Sequence, residues 1–167
     1  MFAELLRQDY TFPFGEAEIT LRYSLADLLA LEQRGIAYSE IFADRLIGER
    51  ILTFFEIGLV EDLPAETVEK IVGCVGVEAV WEYCRAAMEQ ALPKKDPLII
   101  PDFSEKSGEE FSFLRLRTLI VDIMGKSEEF FWDSTLAELL TRWQDYAVAM
   151  GYAKPPERVQ MYDTEGM

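Results

Sequence analysis

Gly125-Lys126-Ser127 is the closest approach of this chain to a phosphate-binding loop, in which backbone N–H groups cradle phosphates and a lysine neutralises them. That chemistry needs a glycine five residues before Gly125, and Ile120 stands there. The residues before Gly125 also carry a helical pattern where a strand is required, so a helix stop followed by a helix start explains the triplet better. Asp102, Ser104, Lys106 and Gly108 hint at a calcium loop, but a lysine at a ligand position and a misplaced glycine defeat the match. Cys74 and Cys84 have no CxxC spacing, and they read as buried thiols in a reducing compartment. The acidic pairs Glu61-Asp62, Glu109-Glu110 and Glu128-Glu129 stand at predicted helix starts, where carboxylates favour the positive end of the helix dipole. Spacing alone leaves a paired-carboxylate glycosidase open, ranked last among the functions considered.

Histidine is absent from all 167 residues. It is the side chain that changes charge near neutral pH and the commonest metal ligand, so its loss counts against hydrolases, metalloenzymes and His-assisted nucleophiles together. The expectation is a protein without catalytic residues, metal or cofactor. A net charge of −15 repels phosphate backbones and predicts no direct nucleic-acid binding. The charge is uneven: residues 1–92 hold 17 acidic and 7 basic side chains, and residues 93–167 hold 14 and 9. No apolar run is long enough to span a membrane, and MFAELLRQDY lacks the basic stretch and apolar run of a signal peptide. Cytoplasmic localisation is expected.

Half of the residues are apolar, enough for a packed core. Ile19, Leu21 and Tyr23 alternate with polar neighbours after a turn at Gly15, which predicts a short N-terminal hairpin. Ser24, with Asp27 three residues on, can cap a helix that ends at Gly35. Further helices are expected over 39–46, over 49–57 up to Gly58, and over 64–72 from a start at Pro64. Val77, Val80, Trp81, Cys84, Ala87, Met88 and Ala91 form one apolar stripe opposite Glu78, Glu82, Arg85 and Glu89, so 77–91 is an amphipathic helix. Prolines 93, 97 and 101 exclude a helix, leaving a strap whose Leu98, Ile99 and Ile100 should dock. Ser107 with Glu110 and Thr135 with Glu138 have capping-box spacing and open two more helices, the first running to Met124. The second carries Leu136, Leu139, Leu140, Trp143, Tyr146, Ala147 and Met150 on one side. The expected fold is mainly α: a hairpin plus helical domain over 1–92, a Pro-rich linker over 93–107, a C-terminal helical lobe or helical pair over 108–152, and a flexible tail over 153–167.

Candidate contact residues follow from this placement. Arg115 and Arg117 sit two apart in a chain short of positive charge; they suit an acidic partner, against the commoner alternative of pairing with the protein's own carboxylates. Phe130, Phe131 and Trp132 cannot all face one core from a helix, because neighbours point about 100° apart. One of the three is expected to lie at the surface or join a second lobe, the exposed one serving as an interaction hot spot, and the other two to pack in the core.

Two stretches resemble the tail assembly chaperones of long-tailed bacteriophages, prophages and gene-transfer particles. The first is ITLRYSLADLLALEQRGIAYSEIFADRL, a strand leading into a leucine-rich helix. The second is IMGKSEEFFWDSTLAELLTRWQDYA, in which Gly125, Phe130, Trp132, Thr135, Glu138 and Leu139 follow a pattern seen in related members. Together they cover about a third of the chain. The resemblance implies a non-enzymatic protein of the bacterial host cytoplasm that coats the tape-measure protein, keeps it soluble and helps recruit tail-tube subunits. Its partners would be the tape-measure and tail-tube proteins, and a homo-oligomer stays open. The alternative from composition is an acidic DNA mimic that occupies the basic cleft of a host nuclease or DNA-binding protein.

Overall fold

Tyr10–Phe14 (β1) and Ala17–Leu21 (β2) form an antiparallel hairpin with Phe12 opposite Ile19 and Tyr10 opposite Leu21. A computed structural model describes the protein over residues 9–42, 48–93 and 113–152. Gly15, at φ +63°, makes the tight connection, a backbone conformation that glycine adopts without steric cost. The expected alternation holds: Ile19, Leu21 and Tyr23 are buried, while Glu18 is exposed.

β2 has a second neighbour that the periodicity does not reveal. Arg22 N–H donates to Gly58 C=O at 2.8 Å and Val60 N–H to Thr20 C=O at 3.0 Å, with Leu21 bridged to Leu59. The Glu61 carboxylate accepts Thr20 N–H at 3.0 Å, standing in for the strand partner that the short segment does not supply. Thr20 therefore directs its backbone away from β1. By the same alternation, Thr11 and Pro13 present theirs to the open edge, where the proline has no N–H to offer an incoming strand.

Seven α-helices follow among the described residues, with a short 3-10 helix and a π-helix between them. Leu25–Gln33 (α1) opens with the expected capping box: Asp27 N–H donates to Ser24 Oγ, and Ser24 N–H donates back to Asp27 Oδ2 at 2.8 Å. Tyr38–Phe42 is a 3-10 helix, falling in the helical stretch expected over 39–46; the remainder of that stretch lies outside the described residues. Gly48–Gly58 (α2) and Ala65–Val75 (α3) come next, with Pro64 at the N-cap of α3 and not inside it. Val77–Ala91 (α4) matches the expected stripe, except that Val77, in the first position, is 42% exposed. Phe113–Arg117 (α5) widens into a π-helix over Thr118–Ile123 before Gly125, at φ +71°, stops it. There Met124 N–H reaches Leu119 C=O and Lys126 N–H reaches Ile120 C=O, one and two residues beyond α-helical spacing. Glu128–Asp133 (α6) and Leu136–Ala149 (α7) complete the fold. The strap residues 98–100, the Ser107–Glu110 capping pair and the 153–167 tail lie outside the described residues.

Helix α4 is the pillar of the packing, touching α2, α3, β1, the 3-10 helix and α7. Tyr83 stacks on Phe12 at 4.5 Å between ring centroids, and Trp81 meets Phe54 edge-on at 5.6 Å. Arg85 Nε donates to Ile41 C=O at 3.3 Å, tying the 3-10 helix down. Leu116, Ile120, Phe131, Leu136 and Leu139, from beyond residue 112, join the same core as the hairpin and α1–α4.

At its centre, Tyr23 is fully buried and its Oη donates to Phe54 C=O at 2.7 Å. Its ring lies so close to Gly58 that a Cβ there would meet Tyr23 Cζ at 2.7 Å and Oη at 2.9 Å. Replacing Gly58 by alanine should therefore cost about 1–3 kcal/mol through overpacking. Gly73, inside α3 with nothing within 4 Å of a built Cβ, should behave oppositely, its alanine variant gaining up to about 1 kcal/mol. Urea midpoints of the two variants against the parent protein check both signs.

Candidate partner-binding surface

The residues singled out for contact lie on α5 and α6. Gly125 ends one helix, and Ser127 Oγ accepts Phe130 N–H at 3.0 Å to begin the next, so Gly-Lys-Ser is a stop and a start. In α6 the three aromatics take different surroundings. Phe131 is fully buried, Trp132 is half-buried with its ring edge-on to Phe131 at 5.1 Å, and Phe130 is half-buried.

Phe130 lies beneath two cations, with Lys126 Nζ 5.6 Å and the Arg142 guanidinium 5.1 Å from its ring centroid. Each such contact is worth about 0.5–1 kcal/mol where water has access. Arg142 also donates from Nη2 to Glu138 Oε1 at 3.3 Å, which gives the buried Glu138 carboxylate its counter-ion. Thr135 caps α7 by accepting Glu138 N–H at 3.2 Å, while the Glu138 side chain turns to Arg142. The Glu138–Arg142 spacing of four residues on a helix was the sequence signal for this pair, and Arg142 was not singled out.

Arg117 pairs with Glu128 and, at 3.8 Å, with Asp122, so its partners here are the protein's own carboxylates. Arg115 is exposed beside Leu114, which at 71% is the most exposed large apolar side chain among the described residues. At the far end of α7, Trp143 stacks on Tyr146 at 5.8 Å, and Met150 and Tyr152 are exposed. The stripe expected on α7 is thus buried at Leu136, Leu139 and Ala147 and open at Met150. Cys84 is buried in an apolar setting that pushes its thiol up to about 12. Cys74 is exposed, contrary to expectation, because Val68, Ile71, Val72 and Val75 face inward on α3 and leave residue 74 on the outer side. Among the described residues no group of three His, Cys, Asp or Glu side chains converges as a metal site would require, and no helix is long and apolar enough to cross a membrane.

The α6–α7 corner docks on the start of α1. Leu25 N–H donates to Ser134 C=O at 3.0 Å, and buried Ser134 sends its Oγ to Phe130 C=O at 2.6 Å. Mainly helical with a two-stranded N-terminal hairpin, this architecture was compared with protein-family models, curated proteins and solved structures, and nothing matched.

Asp27 sits at this junction. Burial raises its carboxyl above the ordinary aspartate range and Asp133 adds to the rise, while hydrogen bonds from Ser24 and the charge of Arg22 oppose it. The folded protein thus holds the Asp27 proton more tightly than the unfolded chain does. That contribution to stability is fully present below the unfolded aspartate value of about 4, and is lost as pH rises through the raised folded value. Asp27→Asn keeps an acceptor for Ser24 N–H but cannot ionise. Urea midpoints measured across that window should fall with pH more in the parent protein than in Asp27→Asn; equal slopes would contradict the assignment.

Proposed function

We propose that this protein is a non-enzymatic tail assembly chaperone, which binds the tape-measure protein of a phage or related particle, keeps it soluble and helps recruit tail-tube subunits. The observation that carries the proposal is the meeting of the two stretches on which the resemblance rests. The strand and leucine-rich helix of the first and the Phe130–Leu139 corner of the second are far apart in sequence, yet α1 and α6 pack together and share the Leu25–Ser134 backbone bond. Residues of a common pattern that sit together in space suit one shared role better than two scattered coincidences.

The surface chemistry supports the same function. Leu29, Phe42, Leu52, Leu114 and Ile123 are each more than a third exposed on a protein of net charge −15. Dispersed apolar contacts can mask helical client segments, while like charge keeps the complexes apart. Many weak contacts also let the client go when tube assembly begins. In this reading the host cytoplasm is the working compartment.

The test is affinity capture of tagged protein from lytically induced host cells, with mass spectrometry of what co-purifies. A very long, helix-rich tape-measure protein, with or without tube subunits, is the expected catch. Recovery of a host nuclease or DNA-binding protein in its place would overturn the proposal in favour of DNA mimicry.

A further inference from the structure

The segment joining α2 to α3, whose backbone and Glu61 side chain meet β2, borders a cleft of about 440 Å³ to which none of the α5–α7 surface residues above contributes. Leu59, Val60 and Leu63 supply apolar wall, and Glu56, Glu61 and Asp62 supply carboxylates. Val60 stands 49% exposed although it follows the strand-like bridge at Leu59, so its apolar surface is offered outward. From 51 to 69 the sequence has five acidic residues and no lysine or arginine. Among the described residues, the ion pairs formed by Arg50, Arg85, Arg117 and Arg142 all lie elsewhere. Among the described residues, the cleft thus joins carboxylates that have no ion-pair partner to open apolar surface.

We propose that this cleft is a docking site for a cationic, amphipathic segment of a partner protein. A lysine or arginine of that segment lies against Glu56 and Asp62, and a neighbouring aliphatic side chain seats on Val60 and Leu63. Charge complementarity selects this occupant: a cation relieves the repulsion among the carboxylates, and the aliphatic stem beside it covers the apolar wall. An acidic or purely apolar segment would leave one of the two demands unmet. Glu61 contributes charge while its oxygens remain engaged with Thr20 N–H, so Glu56 and Asp62, which make no ion pair among the described residues, are the groups that turn toward the ligand. The inference stands whether or not the client is a tape-measure protein.

The experiment uses the full chain and fluorescence anisotropy with two labelled probes, a short amphipathic Lys/Leu peptide and its Glu/Leu counterpart. The Lys/Leu probe should bind and the Glu/Leu probe should not. Glu56→Gln with Asp62→Asn should weaken binding about fivefold or more, a size consistent with losing two partly exposed ion pairs. Val60→Ser should weaken it with net charge unchanged. Glu78→Gln with Glu89→Gln, on the exposed face of α4, makes the same change in charge away from the cleft and should leave affinity as it was. Equal losses from the two charge-matched pairs would show attraction to the whole acidic surface and overturn the proposal. So would failure of the Lys/Leu probe to bind, or a concentration-dependent dimer abolished by Val60→Ser, which would give the cleft to a second copy of the chain. Unchanged thermal melting of each variant separates lost binding from lost folding.

Discussion

The close approach of Tyr23 to Gly58 is the contact on which the rest of the structure depends. Tyr23 is the residue that carries β2 into α1, and Gly58 is the last residue of α2, so one ring fixes the angle between the first strands and two helices. Its Oη bond to Phe54 C=O gives the buried hydroxyl a partner, without which burial would cost about 1–3 kcal/mol. The backbone bond from Arg22 to Gly58 follows from that approach, and so does the bridge between Leu21 and Leu59. Cys84, in the middle of the pillar helix α4, lies against the Tyr23 hydroxyl. Sheet, α2 and α4 therefore meet at a single aromatic side chain.

What this centre positions is a set of surfaces. With β2 held by α2, the N-terminus of α1 points to the α6–α7 corner and accepts it through Leu25 and Ser134. The protein distributes charge unevenly over this frame. Along α5–α7 its cations are absorbed locally, Arg117 by Glu128 and Asp122, and Arg142 by Glu138 and the face of Phe130. Around the α2–α3 connection the carboxylates have no such neutralisation among the described residues, and apolar side chains lie open between them.

Much of the fold was legible in the sequence because its strongest signals are local. Alternation at Ile19, Leu21 and Tyr23 gives the strand, Ser24 with Asp27 gives the cap of α1, and the stripe from Val80 to Ala91 gives the pillar. The parts that were not legible depend on tertiary contact. The strand-like 58–61 segment has almost no pattern of its own and exists because β2 needs partners for its outward backbone groups, one of them met by the Glu61 side chain. The π-turn after Arg117 leaves no mark in the apolar pattern, because Leu116 and Ile120, four residues apart and both buried, share a face in an ordinary α-helix too. At the candidate surface, side-chain direction marked Phe130, Phe131 and Trp132 as divergent, and the structure buries Phe131 while leaving the other two half-buried. The cations over Phe130 come from Lys126 and Arg142, residues on either side of it in sequence that only the folded corner brings together.

Thiol reactivity tests the central contact most directly, because Cys84 lies against Tyr23 while Cys74 stands on the outer face of α3. A chromogenic disulfide reagent added to the native protein near neutral pH should modify Cys74 at once. Cys84, buried and with its thiol pushed up to about 12, should react only as fast as the whole protein unfolds, and faster in the Gly58→Ala variant. Prompt modification of both cysteines in the native protein would contradict a core closed by Tyr23 on Gly58.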